Sequence, residues 1–205
     1  MKQRLVVFGC SYTFGVGFPD CTPGDLSSPF YANPDRNTKM KHSEFTYPNY
    51  IAKDFNLELI NKSIPGNSYK GIARSVLDFD FRDDDISIIQ WTFQDRHTIF
   101  RQDAYDYQIH PVNTHETLEK NWYKFFHDDY DALRTSDIYL AAALSVRCHI
   151  NLRCMDRYSN TPNDLDKDLH WYLDNTSKLE DGHIGYQGHV KIAEDLKEIV
   201  KERVA

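Results

Sequence analysis

The sequence has few cysteines and no long apolar run, and both absences narrow the class of protein. Four cysteines in 205 residues are too few for a disulfide scaffold, and their spacing is not that of a zinc ribbon. No stretch approaches the roughly 18–20 apolar residues that a membrane-spanning helix needs. The apolar run near the N-terminus is too brief for a signal peptide. We therefore expect a cytoplasmic chain that holds no metal or other cofactor.

Positive charge is also scarce. The chain has 24 Lys and Arg against 31 Asp and Glu, which gives a formal net charge of −7 at pH 7. No stretch concentrates the basic residues, whereas phosphate backbones and anionic membrane surfaces attract clustered positive charge. Nucleic acid and membranes are therefore not expected as partners, which leaves a small molecule or a carbohydrate. The sequence does not predict an oligomeric state.

The length and composition are those of an ordinary globular chain. Hydrophobic residues make up 40% of the sequence and charged residues 27%, and 205 residues suit a single α/β domain with one sizeable core. We find no internal repeat, linker or low-complexity segment, so one domain over residues 1–205 is predicted.

Short apolar runs that fit strands alternate with amphipathic segments that fit helices. Residues 5–8 form a continuous apolar run before Gly9, which is typical of a central parallel strand. Further strands are predicted over 57–61, 85–90 and 150–155, and helices over 47–55, 68–77, 118–146 and 184–204. This alternation predicts a doubly wound parallel sheet with helices on both faces. Residues 12–46 are loop-like, and so long a loop is expected to form a flap or wall of a site.

Polar clusters follow three of the predicted strands, and a fourth precedes the last helix. They are Gly9-Cys10-Ser11, Gly66-Asn67, the segment 92–95, and Asp181-Gly182-His183. Ligands of open α/β sheets bind beyond the carboxyl ends of the strands. The four segments are therefore predicted to converge on one edge of the sheet.

Ser11 is the first candidate for chemistry, because it follows a glycine where the chain must turn sharply. A serine hydroxyl needs a neighbouring base to attack a carbonyl, and that base must come from far along the chain. Ser11 as a helix N-cap is the structural alternative. Cys10 is a rival nucleophile, but alternation turns it towards the core. A phosphate cradle over residues 9–17 is a weaker alternative, because the glycine spacing and the P-loop lysine are missing.

These clusters resemble the conserved blocks of the SGNH/GDSL hydrolases, a family of esterases and lipases. Gly9-Cys10-Ser11 with Thr13 and Gly15 is similar to the first block, and Gly66 to the second-block glycine. Residues 85–96 resemble the third block and residues 181–189 the last, in the order that the family keeps.

The resemblance implies a three-layer α/β/α fold with a parallel, flavodoxin-like sheet, and a serine nucleophile served by a catalytic triad. Ser11 would be the nucleophile, His183 the base and Asp181 the acid. The backbone N–H groups of Ser11 and Gly66, with the side-chain amide of Gln94, would form the oxyanion hole.

Two features depart from the family's pattern. The third block carries Thr92 where the family has glycine, and Gln94 where it has asparagine. A glutamine amide lies one methylene further out, and a lost oxyanion donor typically costs ~10²–10³-fold in rate. In the last block, two residues are candidates for the acid of the triad: Asp181, two residues before His183, and Glu180, three residues before it.

The remaining polar and aromatic residues of interest are predicted to line a pocket or to lie on the surface. Trp91, Phe93 and Asn67 are candidates for lining an acyl or sugar pocket, although the two aromatic rings could equally pack against helices. His189 is expected on the surface of the last helix, and residues 83–85, three aspartates, are expected to form a solvated turn. His110 and His115 are too isolated to predict a metal site.

The leading functional hypothesis is a serine ester hydrolase acting on small acyl esters, including O-acetyl groups of a carbohydrate. The changes at 92 and 94 leave open a catalytically weak or inactive binding or structural protein on the same scaffold. An O-acyltransferase is a third hypothesis, because it differs only in what accepts the acyl group.

Overall fold

The structure, a computed structural model, describes residues 2–21, 41–94, 96–99, 107–109, 129–154 and 161–204. The strands are β1 (Arg4–Phe8), β2 (Glu58–Asn61), β3 (Ile86–Gln90), β4 (His97–Ile99), β5 (Tyr107–Ile109) and β6 (Ile150–Leu152). The helices are α1 (Ser11–Phe14), α2 (Tyr47–Asp54), α3 (Tyr69–Leu77), α4 (Asp129–Leu144), α5 (Leu169–Asn175) and α6 (Tyr186–Lys201). No helix within these ranges is both long enough and apolar enough to cross a bilayer.

Four strands form a parallel sheet in the order β2-β1-β3-β6. Leu5 lies opposite Leu59 of β2 on one side and Ile86 of β3 on the other, so β1 is central and bonded along both edges. Strands β4 and β5 form a separate antiparallel pair. The order of the parallel strands is the flavodoxin-like order, which confirms the predicted fold class.

The side chains of β1 point alternately into two apolar cores, one on each face of the sheet. Leu5 and Val7 face one core, which also contains residues of α2, α5 and α6. Val6 and Phe8 face the other, with residues of α3 and α4. Because side chains alternate across a strand, the continuous apolar run of β1 is buried on both faces. The result is the predicted three-layer α/β/α arrangement.

Most of the predicted elements are confirmed with slightly shorter bounds. The helix predicted over 118–146 is seen as α4, and residues 118–128 lie outside the described ranges. Residues 22–40 of the predicted long loop also lie outside them. The single turn α1, the short helix α5 and the β4–β5 pair were not predicted.

Asp85 corrects the prediction of a solvated turn over residues 83–85. Asp83 and Asp84 are exposed, but Asp85 is only 4% exposed and pairs with Arg4. The Arg4 Nε donates to one carboxylate oxygen at 2.7 Å, and a second guanidinium nitrogen contacts the other. Burial alone would raise the pKa of Asp85, but Arg4 and the Arg82 N–H lower it overall. This pair joins β1 to the start of β3.

We predict that Asp85→Asn destabilises the protein far more than Asp84→Asn does. The first change leaves the Arg4 guanidinium buried without a counter-charge, which costs about 3–5 kcal/mol. The second removes an exposed charge and should change stability by less than about 0.5 kcal/mol. Urea unfolding of both variants measures the difference, and equal stabilities would show that the buried pair does not hold the strands.

Two histidines are buried in the packing of helices against the sheet. His149 lies between the Ser87 hydroxyl, 2.6 Å from Nδ1, and the Ala143 carbonyl, 3.2 Å from Nε2. His189 was expected on the surface, but it is 1% exposed, and its Nδ1 accepts the Tyr47 N–H at 3.3 Å. Burial is the main cause that lowers the pKa of His149 to about 4 and that of His189 to about 3.

We predict that the protein loses stability as the pH falls below about 6.5, the pKa of histidine in an unfolded chain. Between pH 6.5 and 4 the unfolded state binds protons that these two folded histidines do not take up. Each histidine should therefore cost ~1.4 kcal/mol per pH unit in that range.

Urea unfolding between pH 7.5 and 4.5 measures this slope. His189→Gln should reduce the slope by the share of one histidine, whatever its effect on stability at pH 7.5. His170→Gln, at a partly exposed ring, is the matched control. A slope that is the same in wild type and His189→Gln would contradict the assignment.

Candidate active site

Strand β1 ends in a tight turn that a glycine makes possible. A Cβ on Gly9 would lie 2.6 Å from Thr13 Oγ1 and 3.0 Å from Gln90 Cβ, which is closer than side chains tolerate. The Gln90 amide oxygen accepts the Cys10 N–H at 3.0 Å, so the end of β3 fixes the turn after β1. Ser11 follows this turn directly, at the carboxyl edge of the sheet.

Ser11 begins the helical turn α1 and does not cap it. Cys10 occupies the N-cap and makes no side-chain capping bond, so the N-cap interpretation of Ser11 is wrong. Ser11 is 8% exposed, and within the described residues the one hydrogen bond of its Oγ is a long one to the Cys10 Sγ, 4.0 Å away. Cys10 itself is fully buried in the core, as alternation predicted. Among the described residues, no strong hydrogen bond ties the Ser11 hydroxyl to the rest of the fold.

The segment that carries the candidate base forms a short hairpin before α6. Lys178 and Ile184 form an antiparallel bridge, and the Leu179 N–H donates to the His183 carbonyl at 2.9 Å. Gly182 turns the chain with φ +84°, a conformation that favours glycine. The hairpin therefore fixes the backbone of residues 181–183 shortly before α6 begins.

Asp181, and not Glu180, is the acid that contacts His183. One Asp181 oxygen accepts the His183 backbone N–H at 3.1 Å, and the other lies 3.0 Å from Nδ1 of the ring. The ring nitrogen is buried and makes no aligned hydrogen bond to any described residue, so its contact with Asp181 is an electrostatic one at hydrogen-bond distance. The carboxylate is thus held by the backbone beside the ring that it would orient.

The Asp181–His183 segment packs against the segment that carries Ser11. The His183 ring meets the Tyr12 ring edge-on, with centroids 5.5 Å apart. Just after α1, a Cβ on Gly17 would lie 2.6 Å and 2.7 Å from the two Asp181 oxygens. One contact is made within α1 and the other just after it, so two segments far apart in the sequence meet at one rim of the sheet.

The surroundings keep the His183 ring uncharged near neutral pH. Burial is the main cause that lowers the pKa of His183, and the charge of Asp181 opposes it. The positive charge of Arg96 lowers the pKa further. An uncharged imidazole is the form that can accept a proton.

Gly66 and Asn67 lie in the turn that follows β2. Gly66 has φ +73°, and the turn is closed by the Asn67 N–H, which donates to the Ile64 carbonyl at 3.2 Å. The Gly66 N–H makes no hydrogen bond to another described residue. Asn67 is 1% exposed, and its side chain bonds the Gly9 carbonyl and the Ser68 N–H. Asn67 therefore ties this turn to the end of β1, and it does not line an open pocket.

The residues after β3 divide between core and site. Trp91 is fully buried, stacks on Tyr69 and donates its indole N–H to Asn151, so it packs in the core and not in a pocket. Phe93 is half-buried beside the core. Gln94 is 4% exposed, and its side-chain oxygen has no hydrogen-bond partner among the described residues. The oxygen of the predicted amide is thus buried and unpaired in this part of the structure.

Three residues near the candidate site were not predicted. Tyr12 and Gly17 contact the acid–base pair, and Arg96 acts on it electrostatically. The only sequence signal was their position within or beside the first and third blocks. His110 and His115 lie outside the described residues.

Comparison with known proteins identifies the fold. No family model and no curated protein matches the sequence. An acetyl xylan esterase from the rumen bacterium Butyrivibrio proteoclasticus superposes with a TM-score of 0.51 and 12% identity, over 98% of this chain and 64% of its own. This chain therefore spans less than two thirds of that enzyme.

Two further structures are similar at lower scores. A protein assigned to the lipolytic G-D-S-L family, from Desulfitobacterium hafniense DCB-2, covers 96% of this chain and 99% of its own, with a TM-score of 0.47 and 12% identity. An acetyl xylan esterase from Geobacillus stearothermophilus matches over 96% of this chain and 94% of its own, with a TM-score of 0.41 and 14% identity. The fold implied by the resemblance to the SGNH/GDSL hydrolases is confirmed by the first superposition.

We predict that Gly17→Ala lowers the pKa of His183, because the new methyl group displaces the Asp181 carboxylate whose charge raises it. Gly182→Ala is the matched control, since it places alanine at a similar positive φ where, apart from its chain neighbours Asp181 and His183, no described residue has an atom within 4 Å of the new methyl group. Both changes should cost about 1 kcal/mol of stability. An NMR titration of the His183 ring distinguishes them, and an unchanged pKa in Gly17→Ala would show that Gly17 does not position the acid.

Proposed function

We propose that this protein is a serine ester hydrolase in which Ser11 is the nucleophile, His183 the base and Asp181 the acid of the triad. One observation carries the proposal: the Asp181–His183 pair packs on Tyr12, within the helical turn that begins at Ser11, and on Gly17, just after that turn. The shared fold with an acetyl xylan esterase is consistent with it.

In the proposed mechanism, the uncharged His183 ring takes the proton of the Ser11 hydroxyl as Oγ attacks the ester carbonyl carbon. The tetrahedral intermediate collapses, the proton passes to the departing alcohol, and an acyl-enzyme ester forms on Ser11. His183 then activates a water molecule, which releases the acid and restores the serine. Asp181 stabilises the charged imidazole in both steps and keeps the ring proton on Nδ1.

The developing oxyanion would be held by the N–H groups of Ser11 and Gly66 and by the Gln94 amide. Ser11 is the first residue of its helical turn, so its N–H has no intrahelical acceptor. The Gly66 N–H has no partner among the described residues. The unpaired atom of Gln94 is its amide oxygen, and a 180° rotation of the amide would place an N–H donor there.

The proposed substrates are small acyl esters, including O-acetyl groups of a carbohydrate. The support is the fold shared with an enzyme that acts on acetyl xylan. The acid and the base would also be reachable, because the side chains of His183 and Asp181 are 24% and 39% exposed, whereas Ser11 is 8% exposed. An O-acyltransferase would form the same acyl-enzyme, and partition of that intermediate between water and an added sugar separates the two activities.

A catalytically weak or inactive binding protein is the second candidate, and one observation favours it. The His183 Nδ1–H is not aligned with the Asp181 carboxylate, which would leave the ring less firmly oriented. This candidate predicts a folded protein whose Ser11 does not react.

We predict that Ser11→Ala lowers the rate of p-nitrophenyl acetate hydrolysis by ~10³-fold or more, because the acyl-enzyme cannot form. A fluorophosphonate should label wild-type protein at Ser11 and leave Ser11→Ala unlabelled. Ser145→Ala, which removes an exposed hydroxyl at the end of α4, is the control that keeps both activities. Hydrolysis that survives Ser11→Ala would exclude the proposed nucleophile, and an unlabelled, folded wild type would favour the binding protein.

A further inference from the structure

The loop after β3 places a cation beside the candidate site. This loop follows Gln90, the last residue of β3, whose side chain accepts the Cys10 N–H, and its last described residue before β4 is Arg96. The Arg96 charge acts on the His183 ring and on the Tyr12 hydroxyl. The Arg96 guanidinium also lies over the Phe93 ring, which packs against the core cluster that contains Cys10 and Tyr12. Packing through Phe93, and not charge alone, therefore links Arg96 to the segment that carries Ser11.

The Arg96 side chain is held in place by two neighbours on its own loop. One terminal guanidinium nitrogen donates to Thr92 Oγ1 at 2.9 Å, and the guanidinium carbon lies 4.7 Å from the centre of the Phe93 ring. The Arg96 N–H closes the turn by donating to the Phe93 carbonyl at 3.3 Å. A guanidinium fixed in this way loses little further rotamer freedom when it binds a ligand.

This guanidinium has no acidic partner within the described residues. Arg4 is paired with Asp85, and Arg74 with Asp78, whereas the one side-chain acceptor that Arg96 uses there is the Thr92 hydroxyl. Arg96 is only half-buried, so its remaining N–H donors can reach a ligand. Thr92, which departs from the family's glycine, thus has a role in orienting a cation.

The position of Arg96 has a cost for a neutral substrate. His183 must become positively charged while the ester is attacked, and a second positive charge within range opposes that step. A negative group bound to Arg96 would cancel much of the opposing field. An anionic substrate therefore turns an unfavourable charge into a binding contact.

We propose that Arg96 is a specificity-determining residue that binds a carboxylate on the substrate, so that the preferred substrates are anionic esters, such as an O-acylated acidic sugar. This proposal rests on the proposed ester hydrolase activity of the same site. The fork of N–H donors on a guanidinium matches the two oxygens of a carboxylate. A phosphate presents similar oxygens, so it forms a separate arm of the test.

The test compares three acetyl esters that differ only in the group at the para position of the ring. They are 4-acetoxybenzamide, which is neutral, 4-acetoxybenzoate, which carries a carboxylate, and 4-acetoxyphenyl phosphate. We expect wild type to prefer the benzoate over the benzamide by ~10-fold or more in kcat/KM, as one charge-assisted contact would supply. Arg96→Gln should remove that preference, and Arg96→Lys should keep part of it. Arg74→Gln, an exposed arginine of α3, is the control that retains the wild-type ratio.

A binding measurement separates failure of this inference from failure of the proposed activity. Calorimetry with Ser11→Ala protein should detect 4-acetoxybenzoate but not the benzamide, and the signal should disappear when Arg96→Gln is added. NMR of the His183 ring should show a higher pKa in Arg96→Gln, because a nearby positive charge is gone.

Three results would overturn the inference. They are equal kcat/KM for the charged and neutral esters, a preference that survives Arg96→Gln, and an equal loss on all esters, which would place Arg96 at the oxyanion instead. A preference for the phosphate ester over the benzoate would overturn the choice of carboxylate. If Arg96→Gln does not fold, Arg96→Lys takes its place. Its ratio of kcat/KM for the benzoate over the benzamide, and its calorimetric binding of the benzoate, should then both fall below those of wild type, and unchanged values would overturn the inference. If wild type hydrolyses no ester but Ser11→Ala binds the benzoate through Arg96, the proposed activity fails and the anion site stands.

Discussion

The docking of helix α6 on the sheet is the contact on which the candidate site depends. Three of its apolar residues are fully buried against the first core: Ile192, Leu196 and Val200. Burial of each is worth about 1.5–3 kcal/mol, whereas a partly exposed pair such as Asp181 and His183 contributes about 0–1 kcal/mol. The hairpin over 177–185 leads directly into α6, so apolar packing sets where the acid and the base lie. The polar contacts of the site orient the groups but do not hold the segments together.

Much of the fold could be predicted because its strands and helices have strong local patterns. The continuous apolar run of β1 and the helical spacing in α6 identify buried elements without any knowledge of partners. The seven residues of α5 and the three of β4 are too short to show a period. Asp85 was placed in solvent because its partner, Arg4, is 81 residues away, and the pattern around an aspartate cannot reveal a distant guanidinium.

The candidate site was predictable where the family resemblance supplied an order of blocks, and less so where packing decides. Ser11, Asp181 and His183 were named from motifs, and the structure brings their segments together. For Trp91 the sequence left pocket lining and packing against helices equally open, and in the structure Trp91 packs in the core. Arg96 could not be found, because a single basic residue after a strand carries no signal until its neighbours are known.

The two halves of the site come from opposite ends of the chain, and this affects how the protein is made. About 170 residues separate Ser11 from His183, which a ribosome adding roughly 5–20 residues per second needs on the order of ten to thirty seconds to synthesise. During that interval the nascent chain carries the serine turn without its histidine partner. On the proposed mechanism, the growing polypeptide is inert towards esters until α6 has emerged and docked.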